Sequence, residues 1–392
     1  MTLVDVPVRR RWMIAYGLAM VGVAAGWFGP IQILLPEQAA RLAGEDGKEA
    51  LLAFVTAWGA GVSMVANPLW GALSDRIGSR RLPIFLAGTA VGIAGLLVLA
   101  EADTRQTMVI GWCLVQAGLN GPLAALAAMI GDRVPERQRG TVGSIFGVAQ
   151  IVGVVLGTAV AVAVGQGAPG YVAVAIAVPA LGAALVILHR DVPVAVVAAS
   201  RFTLRLTGQF AWAWLIRFLL NLSNALVLVY LFYYLSDRVG VADPALWVLI
   251  LTVVNVLFAG ITGGFGGVLS DRWERRRVFV AVAAVVMAAG TTLMAFVPET
   301  AVVIAASVLV GAGWGAYIAV DMAVITHVLP DAETRATMLG VANVAGTLPQ
   351  LLAPVIAAPI VTGLGGYPAL YLLTGGAALL ALAFLPRLSA LP

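Results

Sequence analysis

Twelve runs of apolar residues, each long enough to cross the ~30 Å hydrocarbon core of a bilayer, fill almost the whole of this chain. They lie near 12–36, 50–73, 82–101, 107–131, 141–165, 170–189, 210–235, 245–269, 278–297, 301–328, 337–362 and 367–386. With 61% hydrophobic and 11% charged residues, and the charges gathered between the runs, the chain reads as an all-α membrane protein. A helix pairs its own backbone groups, which lipid cannot do for it. The first run has a basic flank like that of a signal peptide. It continues to Pro36 without a small-residue cleavage site, so it is read as a span.

Basic residues orient the spans. Of 23 Lys and Arg, all but five fall on the inner side when both termini are cytoplasmic. Arg41, Lys48, Arg105 and Arg238 fall outside, and Arg217 lies within a span. The expected location is the inner membrane, and the net charge of +4 reflects insertion rather than nucleic-acid binding. Among the 44 glycines, the pairs Gly22/Gly26, Gly88/Gly92, Gly143/Gly147, Gly153/Gly157 and Gly311/Gly315 have the small-xxx-small spacing of close helix contacts. Cys113 alone forms no disulfide and reads as a core residue.

The chain is duplicated. Gly71-Ala-Leu-Ser-Asp75-Arg76-Ile-Gly-Ser-Arg80-Arg81 returns half a chain length later as Gly267-Val-Leu-Ser-Asp271-Arg272-Trp-Glu-Arg-Arg276-Arg277. Gly147-Val-Ala-Gln150 likewise returns as Gly340-Val-Ala-Asn343. The halves are read as 1–189 and 210–392, joined by a cytoplasmic linker over 190–209. The copies differ where Glu274 replaces Gly78 and His327 stands in the place of Asp132. Two duplicated halves packed in lipid form the architecture of a solute carrier.

The Gly71–Arg81 loop, with Asp132-x-x-Pro135 and Arg139-Gly140, resembles the major facilitator superfamily over essentially the whole chain. The resemblance implies twelve helices in two pseudo-symmetric six-helix bundles, working by alternating access. It also implies a cytoplasmic gate of Gly71, Asp75, Arg76, Asp132, Asp271 and Arg272. In that gate Asp75 meets the start of span 11, Asp271 meets the start of span 5, and Arg76 pairs with Asp132. Such carboxylates at helix N-termini contribute about 0.3–1 kcal/mol each. Arg80, Arg81, Arg275 and Arg277 are read as topology determinants. Two stretches, Gly29–Gln38 and Asp321–Pro354, resemble the sucrose-type and glycoside-type symporters and their bacterial relatives.

Ionisable groups at membrane depth are costly and mark a pathway or a pair. Two stand out, Arg217 in span 7 and Asp321 in span 10, read either as a proton-coupling pair or as a packing ion pair. The resemblance places spans 1, 4, 7 and 10 around a cavity, and helical spacing groups further candidates there. They are Trp27, Phe28 and Gln32; Trp112, Gln116 and Asn120; Asn221 and Asn224; and Trp314 and Tyr317. Amides beside flat rings suit a polyhydroxylated solute, and equally an amphipathic drug or metabolite. Gln150, Asn255, Asn343, Thr347 and Gln350 are read as helix–helix glue, and Trp12, Trp212 and Trp247 as interfacial anchors.

No phosphate-binding loop is present, since the single lysine, Lys48, precedes Glu49. Two isolated histidines make no metal site. The expectation is a monomeric carrier, not an enzyme, that needs a small-molecule substrate, a bilayer and no cofactor beyond a coupling proton. Sugar or glycoside uptake is the first reading. Drug or metabolite efflux, and a non-transporting sensor or lipid scramblase, are the others. The first half is expected to hold the tighter gate and the second the coupling pair.

Overall fold

The computed structural model describes residues 7–78, 80–165, 167–191, 208–273, 275–328 and 335–388. Most of the expected linker, Glu274 and the side chain of Asp271 lie outside the described residues. The chain divides into two compact units, Met1–Ala199 and Ser200–Pro392. Twelve helices are long and apolar enough to cross a membrane.

The first unit contains α1 (Arg10–Ala43), α2 (Lys48–Arg76), α3 (Arg81–Ala100), α4 (Arg105–Arg133), α5 (Glu136–Val164) and α6 (Ala168–Leu188). Helix α1 packs on α5 and α6, α4 packs on α2 and α3, and α3 packs on α6. The second unit contains α7 (Gly208–Val229), α8 (Pro244–Trp273), α9 (Arg276–Phe296), α10 (Thr300–His327), α11 (Arg335–Gly363) and α12 (Gly366–Phe384). Its neighbours repeat the scheme: α7 with α11 and α12, α10 with α8 and α9, and α9 with α12.

Glycine decides how closely these helices approach. A Cβ on Gly88 would come within 2.6 Å of the Gly118 carbonyl, and one on Gly157 within 2.6 Å of the Ala25 carbonyl. Gly311 and Gly315 meet α8 in the same way, at Asn255 and at Ala259 with Thr262. Without the effect of water between helices, this backbone-level packing is a main source of association in lipid. Gly143 and Gly147 are exceptions, because their α-carbons face open space.

Both units are braced at one end by side chains that also repeat at half a chain length. Gln38 Nε2 donates to the carbonyls of Leu99 (2.9 Å) and Ala102 (3.1 Å), at the end of α3, and Tyr171 Oη donates to Gln38 Oε1 at 2.7 Å. In the second unit Tyr234 Oη donates to Met294 O near the end of α9 at 2.8 Å, while Tyr367 Oη donates to Asp237 at 2.9 Å. The bonds from Gln38 and Tyr234 go to carbonyls at or just past a helix end, which the helix leaves unpaired. Helix α1 runs past its expected end at Pro36. It does so through a π-turn at Pro30–Leu34; Pro36 then falls in the first turn of the continuing segment, where its missing N–H is harmless. A corresponding π-turn, Tyr234–Val239, follows α7.

Candidate functional site

In the second unit, α7 and α10 bring the two intramembrane charges together. Arg217 Nη1 lies 2.7 Å from Asp321 Oδ2, with the side chains only 12% and 14% exposed. The other carboxylate oxygen accepts from Tyr317 Oη at 2.5 Å. Tyr317 precedes Asp321 by one helical turn, so both project from one face of α10. Trp314, a turn earlier, continues the face, its ring centroid 5.5 Å from that of Tyr317. On α7, Asn221 Nδ2 donates to the Arg217 carbonyl at 2.8 Å. Arg217 Nε is buried without a hydrogen-bond partner among the described residues. Asn224 is half-buried further along α7.

A charge removed from water costs several kcal/mol unless it is paired and hydrogen-bonded. Here each carboxylate oxygen of Asp321 has one partner, Arg217 Nη1 on Oδ2 and Tyr317 Oη on Oδ1, so its charge is compensated while Arg217 remains in place. Protonation would neutralise the carboxylate and weaken its hold on the guanidinium.

In the first unit, several polar groups within the helices are engaged in packing. Asn120 donates to Ser63 Oγ (2.8 Å) and to the Gln116 carbonyl (2.7 Å), and accepts from Asn67 at 3.1 Å. Gln32 accepts from Thr158 on α5 at 2.7 Å. Trp112 is fully buried against Gly59, whose lack of a side chain admits the indole. Asn120, Gln32 and Trp112, expected to face a solute, therefore join helices instead. Trp27, Phe28 and Gln116 are half-buried. Sequence reasoning missed Ser63 and Asn67, which reach Asn120 from α2. It also missed an apolar pocket of about 640 Å³ along α2, formed by Phe54, Trp58, Val62, Val65 and Leu69 with Ala117 of α4.

At the end of this unit where α2 turns into α3, the geometry corrects the expected pairing. Arg81, rather than Arg76, meets Asp132, at 2.7 Å, and it also reaches Asp75 at 2.9 Å and Ser74 at 2.8 Å. Arg76 is exposed. The turn explains the exchange: Gly78, at φ +77°, reverses the chain and carries the start of α3 over the end of α2. Asp191 accepts from the amides of Arg81 (2.9 Å) and Leu82 (3.1 Å), placing a carboxylate at the N-terminus of α3. His189 bridges Asp191 (Nε2, 3.3 Å) and Trp12, whose Nε1 donates to Nδ1 at 3.4 Å. Burial holds the His189 imidazole below its ordinary pKa, with Arg133 adding to the effect and Asp191 opposing it. Trp12, expected at the membrane interface, is buried and stacked on Tyr16.

The second copy differs. Arg272 and His327 are exposed, Arg276 donates to the Ala323 carbonyl at 3.3 Å, and Gly71 has its counterpart at Gly267, outside the described side chains. Among the described residues no group of three or more His, Cys, Asp or Glu is placed to hold a metal.

The profile of one family, Major Facilitator Superfamily, matches residues 12–255 and 213–391. No curated protein matches the sequence. Among solved structures, the nucleoside transporter NupG, in a mutant form, superposes with a TM-score of 0.73 at 14% identity, covering 96% of this chain and 99% of that one. A bacterial homologue of the human lysosomal transporter Spinster, inward-facing and unoccupied, superposes with a TM-score of 0.72 at 13% identity, covering 97% and 96%. At these identities the likeness establishes the fold alone.

Proposed function

Because the chain belongs to the major facilitator superfamily, and is thus a multi-pass membrane protein and secondary transporter of small solutes rather than an enzyme, we propose that it couples proton movement to the passage of a neutral polyhydroxylated solute. A sugar or glycoside is the substrate class. Asp321 is the titrating group and Arg217 its counter-ion. The observation that carries this reading is the Arg217–Asp321–Tyr317 cluster, a compensated carboxylate inside a span with a partner on a different helix. A carboxylate in that setting changes its interactions on taking up a proton, and a solute that favours one protonation state is thereby coupled to it.

We place both termini on the cytoplasmic side of the inner membrane, from the distribution of basic residues. The Asp75–Arg81–Asp132 cluster is then part of the cytoplasmic gate, held together within its own unit by Arg81. The apolar pocket beside Trp58 favours a second reading, export of an amphipathic metabolite driven by the same pair.

Proteoliposomes with an imposed pH gradient test the proposal. Asp321→Asn should abolish uphill accumulation of a transported sugar while leaving equilibrative exchange measurable. Unchanged pH-driven accumulation would remove Asp321 from the mechanism.

A further inference from the structure

Three polar atoms converge on the backbone of α11. A Cβ placed on Gly346 would lie 3.9 Å from Arg217 Nη2, 4.0 Å from Arg217 Nε and 3.9 Å from Asn221 Oδ1. Nη1 is the nitrogen that meets Asp321, and it also faces Met322 Sδ at 3.8 Å. The Asn221 amide is oriented by its own bond, since Nδ2 donates to the Arg217 carbonyl, and Oδ1 is left as an acceptor. Nε is buried and has no partner among the described residues, an arrangement that folding alone does not favour.

The duplicated half shows that this spacing is not a general feature of the helix pair. Gly346 corresponds to Gly153 in the register set by Gln150 and Asn343, while Arg217 and Asn221 correspond to Val21 and Ala25. A Cβ on Gly153 would come within 2.5 Å of Ala24 Cβ and 2.6 Å of the Val21 carbonyl. In the first unit the glycine closes a tight helix contact. In the second the same glycine faces two donors and one acceptor across a gap of atomic size.

We propose that Arg217, Asn221 and Gly346 form a subsite for a single hydroxyl group of the solute. A hydroxyl accepts from the guanidinium edge and donates to Asn221 Oδ1 through the same oxygen. A carboxylate satisfies the guanidinium and is opposed by the amide oxygen; an ammonium is opposed by the guanidinium. The subsite therefore selects a neutral, hydroxyl-bearing solute and ties its recognition to the residue that balances Asp321. The inference rests on the transport reading above and adds the recognising atoms to it.

Thermal unfolding of the purified full chain, with Gly346→Ala and Gly346→Ser, tests it. Both side chains enter at ordinary contact distance. Alanine is the better helix former, so propensity alone ranks Ala above Ser. The subsite predicts the reverse, because the serine hydroxyl would itself bridge Arg217 and Asn221. Sucrose, methyl β-glucoside and a ribonucleoside are the probes. At least one should stabilise the wild type and Gly346→Ala, and bind Gly346→Ser about tenfold more weakly, the effect of losing one good hydrogen-bonded group. Three results would overturn the assignment: Ser melting no higher than Ala, Ser melting higher with unchanged probe binding (a bridging-water site only), or no probe stabilising the wild type. The pH-gradient test of Asp321→Asn is scored separately. Loss of coupling there with unaltered probe binding in Gly346→Ser sinks the subsite alone; the opposite pattern sinks the coupling role alone.

Discussion

Replacing Asp321 with leucine leaves Arg217 charged, nearly buried and without its only described carboxylate. The side chains are 12% and 14% exposed, so solvent screens the pair little. Removing one partner of such a pair costs about 3–5 kcal/mol, because the survivor keeps its desolvation penalty and loses its compensation. Tyr317 loses its acceptor in the same substitution, which pushes the cost toward the upper end. Arg217→Met removes the other charge and should destabilise to a similar degree. The double variant Arg217→Met, Asp321→Leu removes both charges and should lie within about 1 kcal/mol of the wild type. The coupling energy of the cycle is then at least about 5 kcal/mol. Reversible unfolding of the four proteins in one mixed-micelle system measures it, with pH-driven uptake as a second readout. The double variant should recover stability without recovering uptake. Additive single effects would mean that the two side chains do not share one electrostatic unit, and the reasoning from burial would fail.

Two more outcomes concern the first unit. Arg81→Met should cost about 2 kcal/mol, chiefly from the Asp132 bond, since Asp75 is half-exposed and screened; Arg76→Met should stay within about 0.5 kcal/mol. Melting curves of both variants check the contrast, and equal effects would contradict the observed pairing. His189 has a folded-state pKa below its unfolded value of about 6.5. Its neutral form is thus favoured by folding, and its contribution is complete above that pH and is lost as pH falls through it. Melts taken from pH 8 to pH 5 should show a loss of stability on acidification that is smaller in His189→Gln; an identical pH profile in the variant would exclude His189 as a source.

The spans and the duplication were legible because both are local statistics of the chain: apolar length, and a loop repeated at half the chain's length. The Arg217–Asp321 pair was legible for a related reason, since charges inside apolar runs are few and must find one another. Arg81 was not. Arg76 and Arg81 flank one turn, and which of them meets Asp132 depends on the left-handed residue at Gly78 rather than on residue type. Asn120 fitted a solute-facing pattern by helical spacing, yet its amide is engaged by Ser63 and Asn67 across the helix pair. Spacing along one helix does not report the polar groups on its neighbour. Gly346 drew no notice because a glycine among 44 gains meaning only from the atoms opposite it.

The π-turn in α1 has a consequence for how that helix can evolve. Each residue contributes roughly 100° of rotation in an α-helix, and a π-turn accommodates one more than a regular turn would hold. The turn at Pro30–Leu34 thus resets the azimuth of everything beyond it. Trp27 and Phe28 precede it, while Gln38, which caps α3, follows it. A single helical wheel does not describe such a rod. The segment before the turn can change in sequence while the segment after it keeps its bearing on α3 and α6, as two instruments clamped on one shaft at independent angles.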